Sequence, residues 1–249
     1  MYKFILIFFT SLTVLTSFFL NSIKEEVEII PYQERFYELM NQDVEISRPW
    51  YLILVNHENP IPLDYEVELY SLDNGKQIDI RIKDEYLALI ESAIALGHKP
   101  FARESYRSFQ DQVDMMDFFI NDYKGMGYTE EKAISKAQSF VAIPGHSEHQ
   151  LGLAIDINNQ DHNNTNLFNY LEANAHKYGF VKRYAASKKD ITKINNEPWH
   201  FRYVSRNDAT LMYEYDLCLE EYINYLDSLK AYDLYLIDYC LDLYYNYSE

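Results

Sequence analysis

The chain has 249 residues, 39 of them acidic against 22 basic, for a formal charge of −17. Such a field repels nucleic acid and anionic lipid head groups, so neither is an expected partner. Once the first two dozen residues are set aside, the length suits one domain with a real core, and two large domains are not expected.

The first element is "MYKFILIFFTSLTVLTSFFLNSIKEE", in which Lys3 precedes an uncharged apolar run from Phe4 to Leu20. A run without a polar stripe has no solvent face, so it is expected to be an export signal or a membrane anchor rather than a helix of a cytoplasmic protein. It is short for a helix crossing ~30 Å of hydrocarbon. It is longer than a typical signal core, however, and no small-x-small cleavage pattern follows, which favours an uncleaved anchor. Residues 1–24 are thus expected to be the signal or anchor, and the charged, mixed residues 25–49 a tether. The protein is expected to be extracytoplasmic, held at the membrane by this segment or secreted if it is cleaved.

A folded unit is expected from Trp50 to residue 227. "WYLILVN" reads as a short apolar strand and "HENPIPLDYEVEL" as an extended loop with prolines. From Asp84, "DEYLALIESAIALGH" predicts a helix with Tyr86, Ile90, Ala93 and Ile94 facing inward and Gly97 as its stop. "RSFQDQVDMMDFFINDYKG" predicts a second, with Phe109, Val113, Met116, Ile120 and Tyr123 on one face, and "TEEKAISKAQSF" a third. The period then changes. In "GLAIDI", Leu153, Ile155 and Ile157 alternate with Ala154 and Asp156, as in a strand that packs one face and presents Asp156 on the other. A helix around "NLFNYLEANAHKYG", short strands in "FVKRYA" and "HFRYV", and a helical end from Asp208 complete the order. The fold class this implies is α+β, a small antiparallel sheet flanked by helices. Residues 228–249 form an acidic, aromatic extension to which the sequence assigns no role. The two cysteines, Cys218 and Cys240, lie in no CxxC pattern and read as separate small hydrophobes, with a disulfide as the alternative.

Of seven histidines, His149 and His200 stand out. His149 lies just before the turn at Gly152, within reach of Asp156 across a turn and strand. His200 lies in "NNEPWHFRYV", where Pro198 forces Glu197 into an extended conformation. Two histidines, a carboxylate and a further glutamate are the parts of a catalytic zinc site: three ligands, an open position for water, and a base beside it. The helical HExxH is absent, so residue types and spacing alone leave a metal site and a polar loop both open.

Three ordered blocks carry a resemblance. "SEHQLGLAID" resembles the SxHxxGxAxD motif of the VanY-type zinc D-alanyl-D-alanine carboxypeptidases, "EPWHFRY" that family's second motif, and "SYRSFQDQ" its YRSxxxQ segment. The likeness extends over roughly residues 50–227. It implies Zn2+ held by His149, Asp156 and His200, with Glu197 as the catalytic base and Arg107 stabilising the oxyanion. It further implies Ser147 near the substrate's terminal carboxylate, Gln112 as a pocket residue, and Tyr106 and Trp199 as walls of the cleft. Glu104 and Ser105 depart from the Ser-Gly that often precedes the YRS block, and His146 is read as a surface residue with a supporting role at the site as the alternative.

The function so implied is hydrolysis of the terminal D-alanine from peptidoglycan stem peptides. The alternatives are an L,D-carboxypeptidase acting on tetrapeptide stems and a wall-binding protein that has lost catalysis, whose sign would be a missing ligand or base. None is missing.

Overall fold

Short stretches of alternating apolar and polar residues meet in one antiparallel sheet. The structure, a computed structural model, describes residues 48–161 and 164–229. The expected anchor, the tether up to residue 47, His162, Cys240 and all but the first two residues of the expected extension lie outside them. No helix among the described residues is long and apolar enough to cross a membrane.

A hairpin of β1 (Leu69–Ser71) and β2 (Gln77–Asp79) precedes helix α1 (Lys83–Ile94). Strand β3 (Pro100–Glu104) leads into α2 (Phe109–Gly125) and α3 (Glu130–Gln138). Then come β4 (Ala154–Asn159), α4 (Asn164–Asn174), β5 (Phe180–Tyr184), the short α5 (Lys189–Thr192), β6 (Glu197–Tyr203) and α6 (Arg206–Glu214). The chain is helical again over residues 219–229, here α7. The sheet has the order β3-β4-β6-β5, antiparallel throughout. The expected α+β class is therefore the observed one.

The sheet has two unlike faces because its strands alternate. Ala102, Ile155, Ile157, Phe180 and Phe201 join Leu89 and Ala93 of α1 and Leu167 and Leu171 of α4 in the main core. Leu52 and Val181 pack with Met212 of α6 and Leu219, Tyr222 and Ile223 of α7 in a second cluster. Burying one such side chain contributes roughly 1.5–3 kcal/mol. Asp156, Arg183, His200 and Arg202 occupy the face opposite the main core.

Local signals explain most boundaries. Ser108 caps α2: its hydroxyl accepts the Asp111 N–H, and the Asp111 carboxylate accepts the Ser108 N–H. Gly152 and Gly179 end 3-10 turns in the left-handed region, with φ of 72° and 86°. In α1, Tyr86, Leu89 and Ala93 are buried, whereas Ile94, expected to face inward, is 53% exposed. The run "WYLILVN" departs from its expected strand. Trp50–Leu52 form a 3-10 turn, and the carbonyls of Tyr51 and Ile53 accept from the Arg202 guanidinium at 3.1 and 2.9 Å rather than from a strand partner.

Candidate metal centre

The strand register sets the centre. Asp156 on β4 pairs directly with His200 on β6, so both side chains leave the same face side by side. Glu197 lies three residues before His200 and in a regular strand would face the other way. Between Lys182↔Phe201 and Tyr184↔Glu197, however, β6 spends four residues where β5 spends two. This irregularity, at Pro198, which has no N–H to offer a ladder, turns Glu197 to His200, and its Oε2 lies 3.5 Å from His200 Nδ1. His149 comes from the 3-10 turn Glu148–Leu151, which Gly152 closes. A Cβ on residue 152 would meet the Asp79 backbone nitrogen at 3.0 Å, so the glycine is what lets this turn rest on the β2 end.

The donor atoms converge. Asp156 Oδ1 lies 3.5 Å from His149 Nε2 and 3.3 Å from His200 Nδ1, and one ligand atom from each of the three residues lies within 4.8 Å of the others. Zinc bonds of ~2.0–2.1 Å in a tetrahedron place ligand atoms about 3.4 Å apart. The remaining ring nitrogen of His149, Nδ1, donates to the Ser105 carbonyl at 2.8 Å, which leaves Nε2 as the lone-pair side. Asp156 Oδ1 is buried without a hydrogen-bond partner, as expected of an oxygen reserved for a cation. Two nitrogens and one oxygen, buried and convergent, suit a zinc ion with an open fourth position.

The buried charges shift each of these groups. Burial, and then Arg107, push the His149 imidazole down to about 4. Burial also acts on His200, but the carboxylates of Asp156 and Glu148 outweigh it and raise that imidazole to about 9. Burial works against Asp156 as well, yet the two imidazoles hold its carboxyl below the usual range. Burial raises Glu197 to about 7.

These residues border a cavity of about 390 Å³. Arg107, Ser147, Glu197 and Trp199 line it with the three donor residues, and Met115, Phe119, Tyr123, Phe140 and Val141 give it an apolar wall. Two expected pocket residues are elsewhere. Gln112 is fully buried behind the wall, accepting from Arg107 Nη1 at 2.7 Å and donating to the Ala142 carbonyl at 2.6 Å. Its amide therefore fixes the guanidinium instead of facing a substrate. Tyr106 is not among the lining residues; its N–H donates to Gln77 O at 2.8 Å, tying the loop after β3 to the hairpin. The departure at Glu104 and Ser105 leaves Arg107 in the cavity wall, where its own N–H donates to the His149 carbonyl at 3.2 Å. His146 stays away from the donors, its Nδ1 2.7 Å from the Asn56 carbonyl. Sequence reasoning missed Tyr184, which lines the cavity with its ring 4.8 Å from that of His200, and Glu148, which meets His200 from behind.

An aspartate and a histidine on one face of a small antiparallel sheet, met by a second histidine from the turn before β4, with a glutamate and a fixed guanidinium beside them, define a mononuclear zinc hydrolase of the metallopeptidase class. The comparisons narrow this class. Residues 75–206 match the family model described as VanY, D-alanyl-D-alanine carboxypeptidase. A D-alanyl-D-alanine carboxypeptidase of Enterococcus faecalis (strain ATCC 700802 / V583) is 46% identical over 180 residues, 72% of this chain and 67% of that one. Among solved structures, VanYB in complex with D-alanine-D-alanine is 46% identical with a TM-score of 0.69, over 71% of this chain and 98% of that chain. A mutant of the vancomycin-resistance D,D-pentapeptidase VanY in complex with Zn(II), also 46% identical, gives 0.68 over 70% and 99%. The chain belongs to the VanY family of D-alanyl-D-alanine carboxypeptidases.

Proposed function

We propose that this protein is a zinc-dependent carboxypeptidase that removes the terminal D-alanine from peptidoglycan stem peptides. The observation that carries the proposal is the convergence of His149, Asp156 and His200 on one wall of a cavity that also holds Glu197 and Arg107. Membership of the VanY family and likeness to a structure holding D-alanine-D-alanine support the bond chosen.

Zinc, when bound, supplies a Lewis acid that acidifies water towards neutrality and polarises the scissile carbonyl. Glu197 serves as the base. It is within reach of the donors without being one of them, and a dication beside it favours its carboxylate form, ready to take a proton from water and pass it to the leaving amine. Arg107 faces the charge that develops on the carbonyl oxygen; its Nε, 3.8 Å from Glu104 Oε2, makes no hydrogen bond, and its Nη1 is fixed by Gln112. Ser147, 4% exposed and lining the same cavity, holds the terminal carboxylate of the substrate. Trp199 forms part of the wall. Peptidoglycan lies outside the cytoplasmic membrane, so this reading places the enzyme there, with the apolar run at residues 4–20 as export signal or anchor.

The test is digestion of pentapeptide and tetrapeptide stems with and without a chelator, followed by mass measurement of the products. Loss of one D-alanine from the pentapeptide, abolished by the chelator, is the expected result. Cleavage confined to the tetrapeptide, or cleavage indifferent to the chelator, contradicts the proposal.

A further inference from the structure

Glu148 precedes a metal ligand in sequence and is almost wholly buried, yet it does not face the cavity's centre as a donor. Its Oε1 accepts from Arg183 Nε at 2.8 Å and from Arg202 Nη1 at 2.9 Å. Arg183 is in turn held by Glu220 of α7, through Nη1 to Oε2 at 2.8 Å and Nη2 to Oε1 at 2.6 Å, and the Asn56 amide donates to the same Oε1 at 3.1 Å. Two carboxylates and two guanidiniums thus neutralise one another inside the protein. The second oxygen of Glu148, Oε2, takes no part in this cluster. It lies 3.4 Å from His200 Nε2 as an ion-pair contact, and neither atom makes a hydrogen bond to any group, so each faces only the other.

From this geometry, and resting on the zinc reading above, we infer that Glu148 is the positioning residue for His200. A carboxylate flanked by two guanidiniums can only accept, so the proton of the His200 ring is held on Nε2 and the lone pair on Nδ1, beside Asp156. The arginines grip Oε1 and leave the carboxylate no rotation that would withdraw Oε2. His149 has its own counterpart in the Ser105 carbonyl, so each imidazole of the centre is oriented from behind by a separate acceptor.

Glu148→Gln and Glu220→Gln each remove one carboxylate charge from the cluster, but only Glu148 faces His200. The comparison is of zinc affinity, by competition with a chromophoric chelator, in the wild type and both variants. Glu148→Gln is expected to weaken zinc binding by ~10–100-fold. Glu220→Gln should leave it within a few-fold of wild type. Equal losses in the two variants, or wild-type affinity in Glu148→Gln, overturn the inference; a wild type that binds no zinc overturns the metal reading and the inference together. Should Glu148→Gln not fold, imidazole nitrogen NMR of the zinc-loaded wild type decides. Coordination of His200 through Nδ1, with a slowly exchanging proton on Nε2, upholds the role, and coordination through Nε2 refutes it.

Discussion

Glu197 and Arg107 occupy one cavity, and their substitution should have separable consequences. Glu197→Gln keeps the volume and removes the base, so turnover is expected to fall by ~10²–10⁴-fold while zinc content stays at one per chain. Steady-state kinetics with metal analysis on the same sample checks this, and wild-type turnover in a zinc-replete variant would sink the assignment. Arg107→Lys retains the charge but loses the planar fork that Gln112 grips. It is expected to lower kcat by ~10²–10³-fold with a smaller change in KM, as for loss of an oxyanion donor. The nine proposed site residues all lay within the three motif blocks, because metal and proton chemistry draw on few residue types. Glu148 lay in the same block and was passed over. A glutamate beside a histidine looks like solvated polarity until Arg183, Arg202 and Glu220, 35, 54 and 72 residues further on, are seen around it.

The supporting elements are sensitive where glycine meets packed neighbours. A Cβ at residue 179 would lie 2.7 Å from the Tyr203 ring and 3.1 Å from the Ser205 backbone, at a φ of +86°. Gly179→Ala is therefore expected to destabilise by at least ~1–3 kcal/mol, read as a lower urea midpoint. Ser108→Ala, which removes the α2 capping box, is expected to cost about 1 kcal/mol. Long periodic segments were legible: α2 ends at Gly125 as its pattern predicts, and β4 presents Asp156 between buried isoleucines. The hairpin strands, three residues each, are too short to show a period, and β3 carries a proline and two charged residues in five. The "WYLILVN" run is not a strand for a non-local reason, since its carbonyl groups accept from a guanidinium donor 149 to 151 residues away.

At the scale of the whole molecule, metal and protons should both govern stability. Removing zinc leaves buried donors without their cation, so a chelator is expected to lower the melting temperature reversibly, and zinc to restore it. Acid should act through the buried cluster. The Glu220 carboxyl works against burial, but Arg183 holds it below its ordinary range. A depressed folded-state value means that its contribution is complete above the unfolded value of about 4.3 and is lost as pH falls below it. With a formal charge of −17, the early part of an acid titration also relieves self-repulsion, which acts in the opposite direction. The difference between wild type and Glu220→Gln isolates the carboxylate: wild type is expected to be the more stable near neutrality, and the gap should narrow between pH 5 and pH 3. A constant gap over that range would show that Glu220 is not titrating as described.

The buried cluster also imposes an order in time. Ribosomes deliver the chain from its N-terminus, so Glu148, Arg183 and Arg202 are all made before Glu220. Until that residue is available, two guanidiniums share a single carboxylate, and closing the sheet would trap an excess positive charge beside the metal ligands. The charge balance behind the sheet is thus complete only once α7 has been made, although every donor to the metal has by then been synthesised.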